Sequence, residues 1–402
     1  MKKEIKLILL VLLITSLIFT VFGLAGCKTG QATETTIAEE TQEETTAAET
    51  VAEETASEIE WVNTTRYPSL QVPVMPDKKI YYVESFVADL LHKMMIYGAE
   101  SIFKDMQCQY EILNPENDLQ KQVKMIDDII AKGDADAIII NPVDSEGISA
   151  SVEKCNEAGI PVFGIDRWPT SGKVEFGCGG EWYGHGALAT DYMVELLKKK
   201  YNGEAKGNVV ALISGMNINS MRDRVFALRD IMKNYPDIKV DEKILEFKPE
   251  VFAKTLQDVL TADSTIDAIW NHADYFGPSY VSMMIEIGKL YKADDPNHII
   301  LVSMDGTDFG LQAVKDGYWD STCSLWCTDW GYFGAWAAAN YLGDVKDLKA
   351  ACVVPPDNFE GVFTDMEGGG TYLGLASVLV TKDNVDDPDL IGNVIKEMFG
   401  NE

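Results

Sequence analysis

Two stretches of the chain, AIIINPVDS at residues 137–145 and GIPVFGIDR at residues 159–167, carry the clearest signal of its fold class. Each contains a short apolar run, Ala137–Ile140 or Pro161–Ile165, rich in isoleucine or valine. Continuous apolar runs of this length are typical of strands that are buried on both faces of a parallel sheet. The two stretches therefore predict two buried strands, each of which ends in polar residues.

The same pattern recurs along the chain, with helical patterns between the apolar runs. The further runs are Ile80–Val83, Val209–Ile213, Ala268–Trp270 and Ile299–Met304. Between the runs, apolar residues at helical spacing form single stripes, such as Leu119, Val123, Ile126 and Ile130, or Met221, Val225, Leu228 and Met232. Strand–helix alternation predicts an α/β fold with parallel sheets. About 340 residues of this pattern favour two sheets over one.

Polar residues follow several of these runs, where parallel sheets bind ligands beyond the carboxyl ends of their strands. Asn141, Ser214 and Thr307 are interpreted as turn and cap residues, a common role for these types. Charged residues at the end of a buried strand are costly unless they are paired or used. Asp166, Arg167 and Asp305 are therefore interpreted as site residues.

The N-terminal 66 residues differ from the rest in composition. Residues 1–27 combine a lysine-rich start, an apolar run and the sequence Leu24–Cys27, which resembles a bacterial lipobox and predicts cleavage before Cys27 and lipid attachment there. An ordinary signal peptide with a chance cysteine is the alternative. Residues 28–66, rich in Thr, Glu and Ala, are predicted to be a disordered tether.

Composition excludes several classes of protein. The formal net charge of the 402 residues is −30, and such a field would repel nucleic acid. Four histidines and seven cysteines leave little material for a metal-rich or disulfide-dense scaffold. We therefore predict no nucleic-acid partner, no metal and no cofactor, and leave open whether the six cysteines other than Cys27 pair.

Several short motifs occur in one order along the chain: IINPVDS at 139–145, GIPV at 159–162 leading into Asp166-Arg167, MRDR at 221–224, MDGT at 304–307 and LVTKDNV at 379–385. In this order, behind a lipoprotein signal, they resemble the periplasmic solute-binding proteins of ribose-type sugar ABC transporters. The resemblance covers about residues 79–340 and resumes at 378–385.

The resemblance implies a periplasmic binding protein-like fold, with two Rossmann-like lobes of parallel sheet joined by a three-strand hinge. Residues 78–178 and 327–372 are expected in the N-terminal lobe, and residues 179–326 and 373–402 in the C-terminal lobe. It further implies a monomer that holds a small sugar or polyol in its cleft, closes about the hinge and meets an ABC permease.

The resemblance also assigns ligand-binding positions. Asp166 and Arg167 fall on the family's sugar-gripping pair, and Arg224, Phe247 and Asp305 fall on its arginine, its stacking aromatic and its second carboxylate. Carboxylates accept from vicinal hydroxyls, guanidinium groups donate to sugar oxygens, and aromatic rings pack on sugar C–H faces. The full predicted set is Ser85, Asp89, His92, Asp166, Arg167, Arg224, Phe247, His272, Asp274, Asp305 and Trp326.

The chain departs from the ribose-binding pattern at the rim of the site. Leu91 and His92 replace two phenylalanines, Ala273 replaces an asparagine, and Leu325 replaces a glutamine. These changes argue against ribose itself and leave another pentose, a hexose, a polyol or a related polar molecule open. Trp182 and Trp336 are expected to serve packing only.

Other functions are weaker interpretations of the same sequence. Gly184–Ala189 matches a dinucleotide fingerprint without the strand it requires, and Cys323 and Cys327 lack partners for a zinc site. Paired carboxylates allow a glycosidase, and a repressor would need a helix-turn-helix at its start. The favoured prediction is a non-enzymatic, lipid-anchored extracytoplasmic protein that delivers a sugar-like solute to an ABC importer. A sensory receptor component with the same cleft is the alternative.

Overall fold

The computed structural model describes residues 59–352, 360–366 and 368–400. The predicted signal sequence, Cys27 and the predicted tether up to residue 58 lie outside this part of the chain. Within it, none of the helices combines the length and apolar character needed to span a membrane.

The described residues form fifteen strands. They are β1 (Trp61–Asn63), β2 (Gln71–Pro73), β3 (Lys79–Val83), β4 (Gln109–Leu113), β5 (Ala137–Ile140), β6 (Val162–Ile165), β7 (Phe176–Gly180), β8 (Gly207–Ser214), β9 (Ile238–Leu245), β10 (Ala268–Asn271), β11 (Ile300–Val302), β12 (Thr322–Ser324), β13 (Gly361–Asp365), β14 (Thr371–Leu375) and β15 (Val378–Val380).

Eleven α-helices lie between these strands in the same part of the chain. They are α1 (Leu90–Met106), α2 (Leu119–Lys132), α3 (Ser149–Glu157), α4 (Trp182–Lys200), α5 (Asn219–Met232), α6 (Pro249–Ala262), α7 (Gly277–Glu286), α8 (Asp308–Asp316), α9 (Cys327–Leu342), α10 (Leu348–Ala351) and α11 (Ile391–Phe399).

The strands form two large sheets, which confirms the predicted α/β class. The first sheet has the order β13-β14-β7-β6-β5-β3-β4 and is parallel except for β13. The second has the order β11-β10-β8-β9 and is parallel throughout. We call each sheet with its helices the first lobe and the second lobe.

The chain passes between the two lobes three times, after β7, after β12 and after β14. Strands β12 and β15 pair with each other, and bridges at Ser321 and Ser324 join β12 to the second sheet. Because β7 continues to Gly180 and β14 to Leu375, the lobe boundaries expected at residues 178 and 372 fall inside strands of the first sheet. The crossings lie a few residues later.

The predicted tether ends earlier than residue 66. Strand β1 pairs antiparallel with β2, and Thr64, which is 1% exposed, bonds to the hydroxyl of Tyr332 on α9 over 2.5 Å. Next to it, Arg66 donates to both carboxylate oxygens of Asp329 over 2.8 and 3.1 Å. The expectation of disorder is therefore wrong for the end of the predicted tether. Its few apolar and charged side chains pair with groups on the folded lobe, and the mean composition of an acidic segment does not reveal such pairs.

Helix α9 is buried along most of its length and packs closely on α1. A Cβ at Gly98 of α1 would lie 1.8 Å from the carbonyl oxygen of Thr328, and one at Gly331 of α9 would lie 1.8 Å from that of Met95. Only glycine allows this approach of two backbones. The contact fixes the N-terminal end of α9, which reaches the site described next.

Candidate functional site

Polar residues at the strand ends of both lobes meet at one cavity of about 360 Å³. Asp166 and Arg167 follow β6 of the first lobe, and Asp305 follows β11 of the second. Arg224 reaches the same cavity from α5, and Asp89 reaches it from the N-cap of α1, where it accepts from Leu91 N over 2.9 Å. The two parallel sheets thus bring their carboxyl ends to a shared cleft, as such sheets do at ligand sites.

Arg224 and Asp305 form a buried ion pair within the second lobe. Arg224 Nη1 donates to Asp305 Oδ1 over 2.8 Å and to the carbonyl oxygen of His272 over 2.7 Å. Its guanidinium carbon also lies 4.9 Å from the ring centre of Trp182, a cation–π distance. Arg224 is 2% exposed, and its Nε has no hydrogen-bond partner among the described residues. One donor of this guanidinium is therefore left unsatisfied by the described residues.

Asp166 and Arg167 form the equivalent pair within the first lobe. Arg167 Nε lies 3.1 Å from Asp166 Oδ2, but the angle does not allow a hydrogen bond, so this nitrogen too lacks a hydrogen-bond partner in the described residues. Arg167 Nη1 donates to the carbonyl oxygen of Pro142 over 3.1 Å, which holds the guanidinium in place. Each lobe thus presents one carboxylate–guanidinium pair to the cavity.

The carboxylates of the two pairs are held on unusual backbone. Asp166 has φ of 65° and Asp305 has φ of 108°, both in the region that favours glycine. Backbone strain of this kind persists where the surrounding structure fixes it and is common at binding sites. We read it here as the cost of aiming both carboxylates into the cavity.

The electrostatics of the cavity make Asp305 easy to protonate. Burial raises its pKa, Arg224 lowers it again, and the nearby carboxylates of Asp89 and Asp166 raise it, so that the pKa of Asp305 lies at about 6. The carboxylate is therefore ionised at neutral pH and loses its charge in mild acid.

A second buried network lies behind the first-lobe wall. His92 lines the cavity, and its Nδ1 lies 2.8 Å from Oε1 of Glu84, a carboxylate with no exposed surface. Burial disfavours the charged form of both groups, but their mutual attraction and hydrogen bond have the larger effect. The pKa of Glu84 is therefore lowered and the pKa of His92 is raised. Glu84 was not among the sequence predictions. Its signal was a carboxylate directly after the apolar run Ile80–Val83, the same logic that found Asp166.

Aromatic rings cover much of the remaining wall. Phe247 and Tyr275 stack with ring centres 5.4 Å apart in the second lobe, and Phe86 of the first lobe meets Tyr275 edge-on at 6.5 Å. Trp182 and Trp330 are edge-to-face at 5.1 Å and also line the cavity. The expectation that Trp182 serves packing only is therefore wrong, because its ring forms the surface beneath Arg224.

Four predicted site residues do not reach the cavity wall. Ser85 donates its N–H to Glu84, and His272 faces the carbonyl oxygen of Leu212 with Nδ1 at 3.0 Å. Burial lowers the pKa of His272 to about 3, so this ring is neutral. Trp326 donates to the carbonyl oxygen of Ala376 beside the hinge strands.

Asp274 is the fourth. It lies behind Asp305 and accepts from the hydroxyls of Ser303 and Thr322 and from the N–H of Thr307. Burial, and then the charge of Asp305, raise its pKa to about 7. Its role in the structure is to hold the loop that carries Asp305. The predicted site residues that do line the cavity are Asp89, His92, Asp166, Arg167, Arg224, Phe247 and Asp305.

Ala273 and Leu325, two of the four replacement residues identified at the rim, line the cavity with apolar side chains. Their side chains carry no polar atoms, so the wall at these two points offers a ligand no hydrogen bond. The charged groups elsewhere on the wall suit a compact molecule with several hydroxyls. No group of three or more His, Cys, Asp or Glu in the described chain is arranged to hold a metal ion.

Hydrogen bonds across the cleft hold the lobes together around the cavity. Asn217 of the second lobe donates to the carboxylate of Asp144 in the first, and Asn219 donates to the carbonyl oxygen of Trp168 over 3.0 Å. Ser145 N donates in turn to the carbonyl oxygen of Asn217. The structure therefore represents a closed arrangement of the two lobes.

Comparison with known proteins gives consistent matches. The family described as "Periplasmic binding protein domain" matches residues 74–345. The ribose import binding protein of Bacillus subtilis (strain 168) is 27% identical over 220 residues, which cover 54% of this chain and 67% of that protein. The xylitol-binding protein of Mycolicibacterium smegmatis is 23% identical over 240 residues, covering 59% of this chain and 63% of that protein.

Solved structures match over a larger share of the chain. A carbohydrate transporter solute-binding protein from Agrobacterium radiobacter, in complex with D-arabinose, has a TM-score of 0.65 at 19% identity, covering 78% of this chain and 97% of that one. An ABC transporter solute-binding protein from Bacillus halodurans C-125 with bound myo-inositol has a TM-score of 0.62 at 21% identity, with the same coverage. These likenesses establish the fold.

Proposed function

The chain belongs to the periplasmic binding protein family, and from that premise we propose that it is an extracytoplasmic solute-binding protein for a monosaccharide or a similar small polyol. The observation that carries this proposal is the meeting of Asp166–Arg167 from one lobe and Arg224–Asp305 from the other at one cavity. A ligand between these pairs contacts both lobes only when the cleft is closed, so its binding shifts the population toward the closed form.

The chemistry of the wall supports a hydroxylated ligand. Arg167 and Arg224 line the cavity and can donate to ligand oxygens, and carboxylates accept from hydroxyls, while Phe247 and Tyr275 offer apolar faces for C–H groups. Related proteins that carry the names ribose import binding protein and xylitol-binding protein support the same class. Because each guanidinium already has a carboxylate beside it, an uncharged ligand fits better than an acidic one.

We further propose that Cys27 carries a lipid anchor, that residues 28–58 link it to the folded lobes, and that the protein delivers its ligand to an ABC importer as a monomer. The lipobox-like Leu24–Cys27 supports the anchor. Incorporation of labelled palmitate in cells, lost in Cys27→Ala, tests the anchor by itself. Absence of label in the natural protein would contradict it.

The ligand proposal is tested by thermal shift with a panel of pentoses, hexoses and polyols, including D-ribose, D-arabinose, xylitol and myo-inositol. We expect at least one to raise the melting temperature, by an amount that grows with its concentration, since a ligand that binds only the folded state stabilises it. Oligosaccharides incubated with the protein serve as the comparison. Cleavage of these, with no shift from any single sugar or polyol, would overturn the proposal in favour of a glycosidase.

A further inference from the structure

The carboxylate of Glu84 is a fully buried centre of hydrogen bonds just behind the cavity wall. Oε1 accepts from Ser85 N over 2.7 Å and from Asn141 Nδ2 over 2.7 Å, and Oε2 accepts from the hydroxyl of Tyr82. All of these groups donate, so Glu84 serves as an acceptor and is ionised. A buried carboxylate of this kind requires a cation nearby.

Among the described residues, the imidazole of His92 is the one group able to carry a positive charge that bonds to Glu84. Its Nδ1 lies 2.8 Å from Glu84 Oε1 and 3.4 Å from Ser85 Oγ. Nδ1 must carry a hydrogen, because the carboxylate can only accept. The other ring nitrogen, Nε2, makes no hydrogen bond to a described residue, and the His92 side chain lines the cavity.

We propose that Glu84 is a positioning residue that holds His92 as a protonated imidazole, so that Nε2–H is a third charged donor facing the ligand, beside Arg167 and Arg224. This inference rests on the proposed function, and it narrows the ligand. The ligand must place an oxygen that can accept, such as a hydroxyl, ring or carbonyl oxygen, against His92. An ammonium group at that position would be rejected.

The charged groups that face His92 agree with this assignment. Glu84, directly after β3, and Asp89, at the start of α1, both favour the imidazolium, whereas Arg167 after β6 opposes it. Asn141 after β5 is neutral and serves Glu84, and Phe86 presents a ring edge-to-face with the imidazole at 6.4 Å. Arg167 Nε lies 3.1 Å from Asp166 Oδ2, and this carboxylate partly cancels the repulsion between Arg167 and a protonated His92.

The protonation state can be measured without any ligand, by nitrogen NMR of the histidine rings. The chain has four histidines, so His92→Gln assigns the His92 signal by its loss. We expect the His92 ring to remain protonated as the pH rises past 6.5, its ordinary pKa, and to be neutral at that pH in Glu84→Gln, where burial is no longer offset. A His92 ring that is neutral at pH 6.5 in the natural protein would overturn the proposal.

Binding gives the second measurement, by calorimetry with whichever of D-ribose, D-arabinose and myo-inositol binds the natural protein most tightly. Affinity should fall as the pH rises through the raised pKa of His92. His92→Gln should lower the affinity at pH 6.5 by about 10- to 100-fold, as for a lost hydrogen bond to a charged group. In this variant the affinity should no longer fall as the pH rises. In Glu84→Gln the fall in affinity should occur at lower pH than in the natural protein.

His298→Gln is the matched control, because His298 also pairs with a carboxylate, Asp320, but does not line the cavity. It should leave the pH profile of binding unchanged. Natural-type affinity and pH profile in both His92→Gln and Glu84→Gln would overturn the positioning role while leaving sugar binding intact. If none of the three compounds binds the natural protein while NMR shows a protonated His92, the result would instead count against the proposed function.

Discussion

Asn217 Nδ2 donates to Asp144 Oδ2 over 2.6 Å, and the two residues belong to opposite lobes. The other oxygen of Asp144 accepts from the N–H groups of Glu146 and Gly147, which fixes the carboxylate at the start of the loop before α3. Asp144 does not line the cavity, although Asn217 does, so Asp144 itself bears on closure without contacting a ligand there.

Asp144→Asn is expected to weaken closure. The amide keeps an oxygen for the loop but turns an N–H donor toward Asn217, so the closed form loses about 1 kcal/mol and the apparent affinity falls about fivefold. Calorimetry measures the affinity, and small-angle scattering of the ligand-free protein should show a larger radius of gyration. Asp128→Asn, on the exposed face of α2, is the control for a lost charge. Equal affinity and scattering in both variants would contradict this role.

Loss of either member of the second-lobe pair should abolish strong binding. Arg224→Ala leaves Asp305 buried without its cation, and Asp305→Ala leaves the guanidinium without its carboxylate, so each is expected to cost about 2–5 kcal/mol of binding free energy. The thermal shift caused by the ligand should disappear while the ligand-free protein still unfolds cooperatively. A full shift in both variants would show that the ligand lies elsewhere.

The pair His298–Asp320 should make stability depend on pH. Burial disfavours the His298 cation, but the bond to Asp320 at 2.9 Å and the carbonyl oxygen of Tyr291 at 2.9 Å raise its pKa above 6.5. The stabilisation is therefore complete below pH 6.5 and is lost as the pH rises through the raised pKa. Urea unfolding across this range should show the largest deficit of His298→Gln at the acidic end. A deficit that does not change with pH would contradict the prediction.

Arg66→Ala should destabilise the protein by about 1–3 kcal/mol, because it leaves the buried carboxylate of Asp329 without a cation. The hydroxyl of Tyr67, which donates to Asp329 over 2.5 Å, would be its remaining side-chain partner among the described contacts. Urea unfolding gives the magnitude. Lys124→Ala removes an exposed pair with Asp128 and should change stability by less than about 0.5 kcal/mol. A similarly small effect of Arg66→Ala would show that the Arg66–Asp329 ion pair contributes little to stability.

The sequence revealed those buried strands that carry apolar residues at consecutive positions. All six apolar runs fall in strands, namely β3, β5, β6, β8, β10 and β11, because such strands need apolar residues at consecutive positions. Strands β4 and β9 were missed, since they lie at sheet edges and keep one face partly exposed. Strand β7 reads FGCGG and has too many glycines to be recognised by composition, although it is fully buried.

The site divided in the same way. Charged residues directly after buried runs, Asp166, Arg167 and Asp305, were found because their cost in isolation is high. Glu84 also follows a buried run directly and was overlooked, whereas Trp330 was missed because its partner Trp182 is distant along the chain. Asp274 was predicted to line the cavity from its position in the sequence alone. In the structure its carboxylate lies behind Asp305 and supports the loop that carries it.

The two carboxylate–guanidinium pairs each lie wholly within one lobe, and this arrangement determines what opening of the cleft must break. When the lobes move apart, both carboxylate–guanidinium pairs stay intact. Each lobe therefore exposes a pair whose charges already balance. What is exchanged for solvent is the bond between Asn217 and the Asp144 carboxylate, a few other hydrogen bonds and the Phe86–Tyr275 ring contact, which is a modest barrier to opening. Only a bound ligand can therefore connect the charged pair of one lobe with the charged pair of the other.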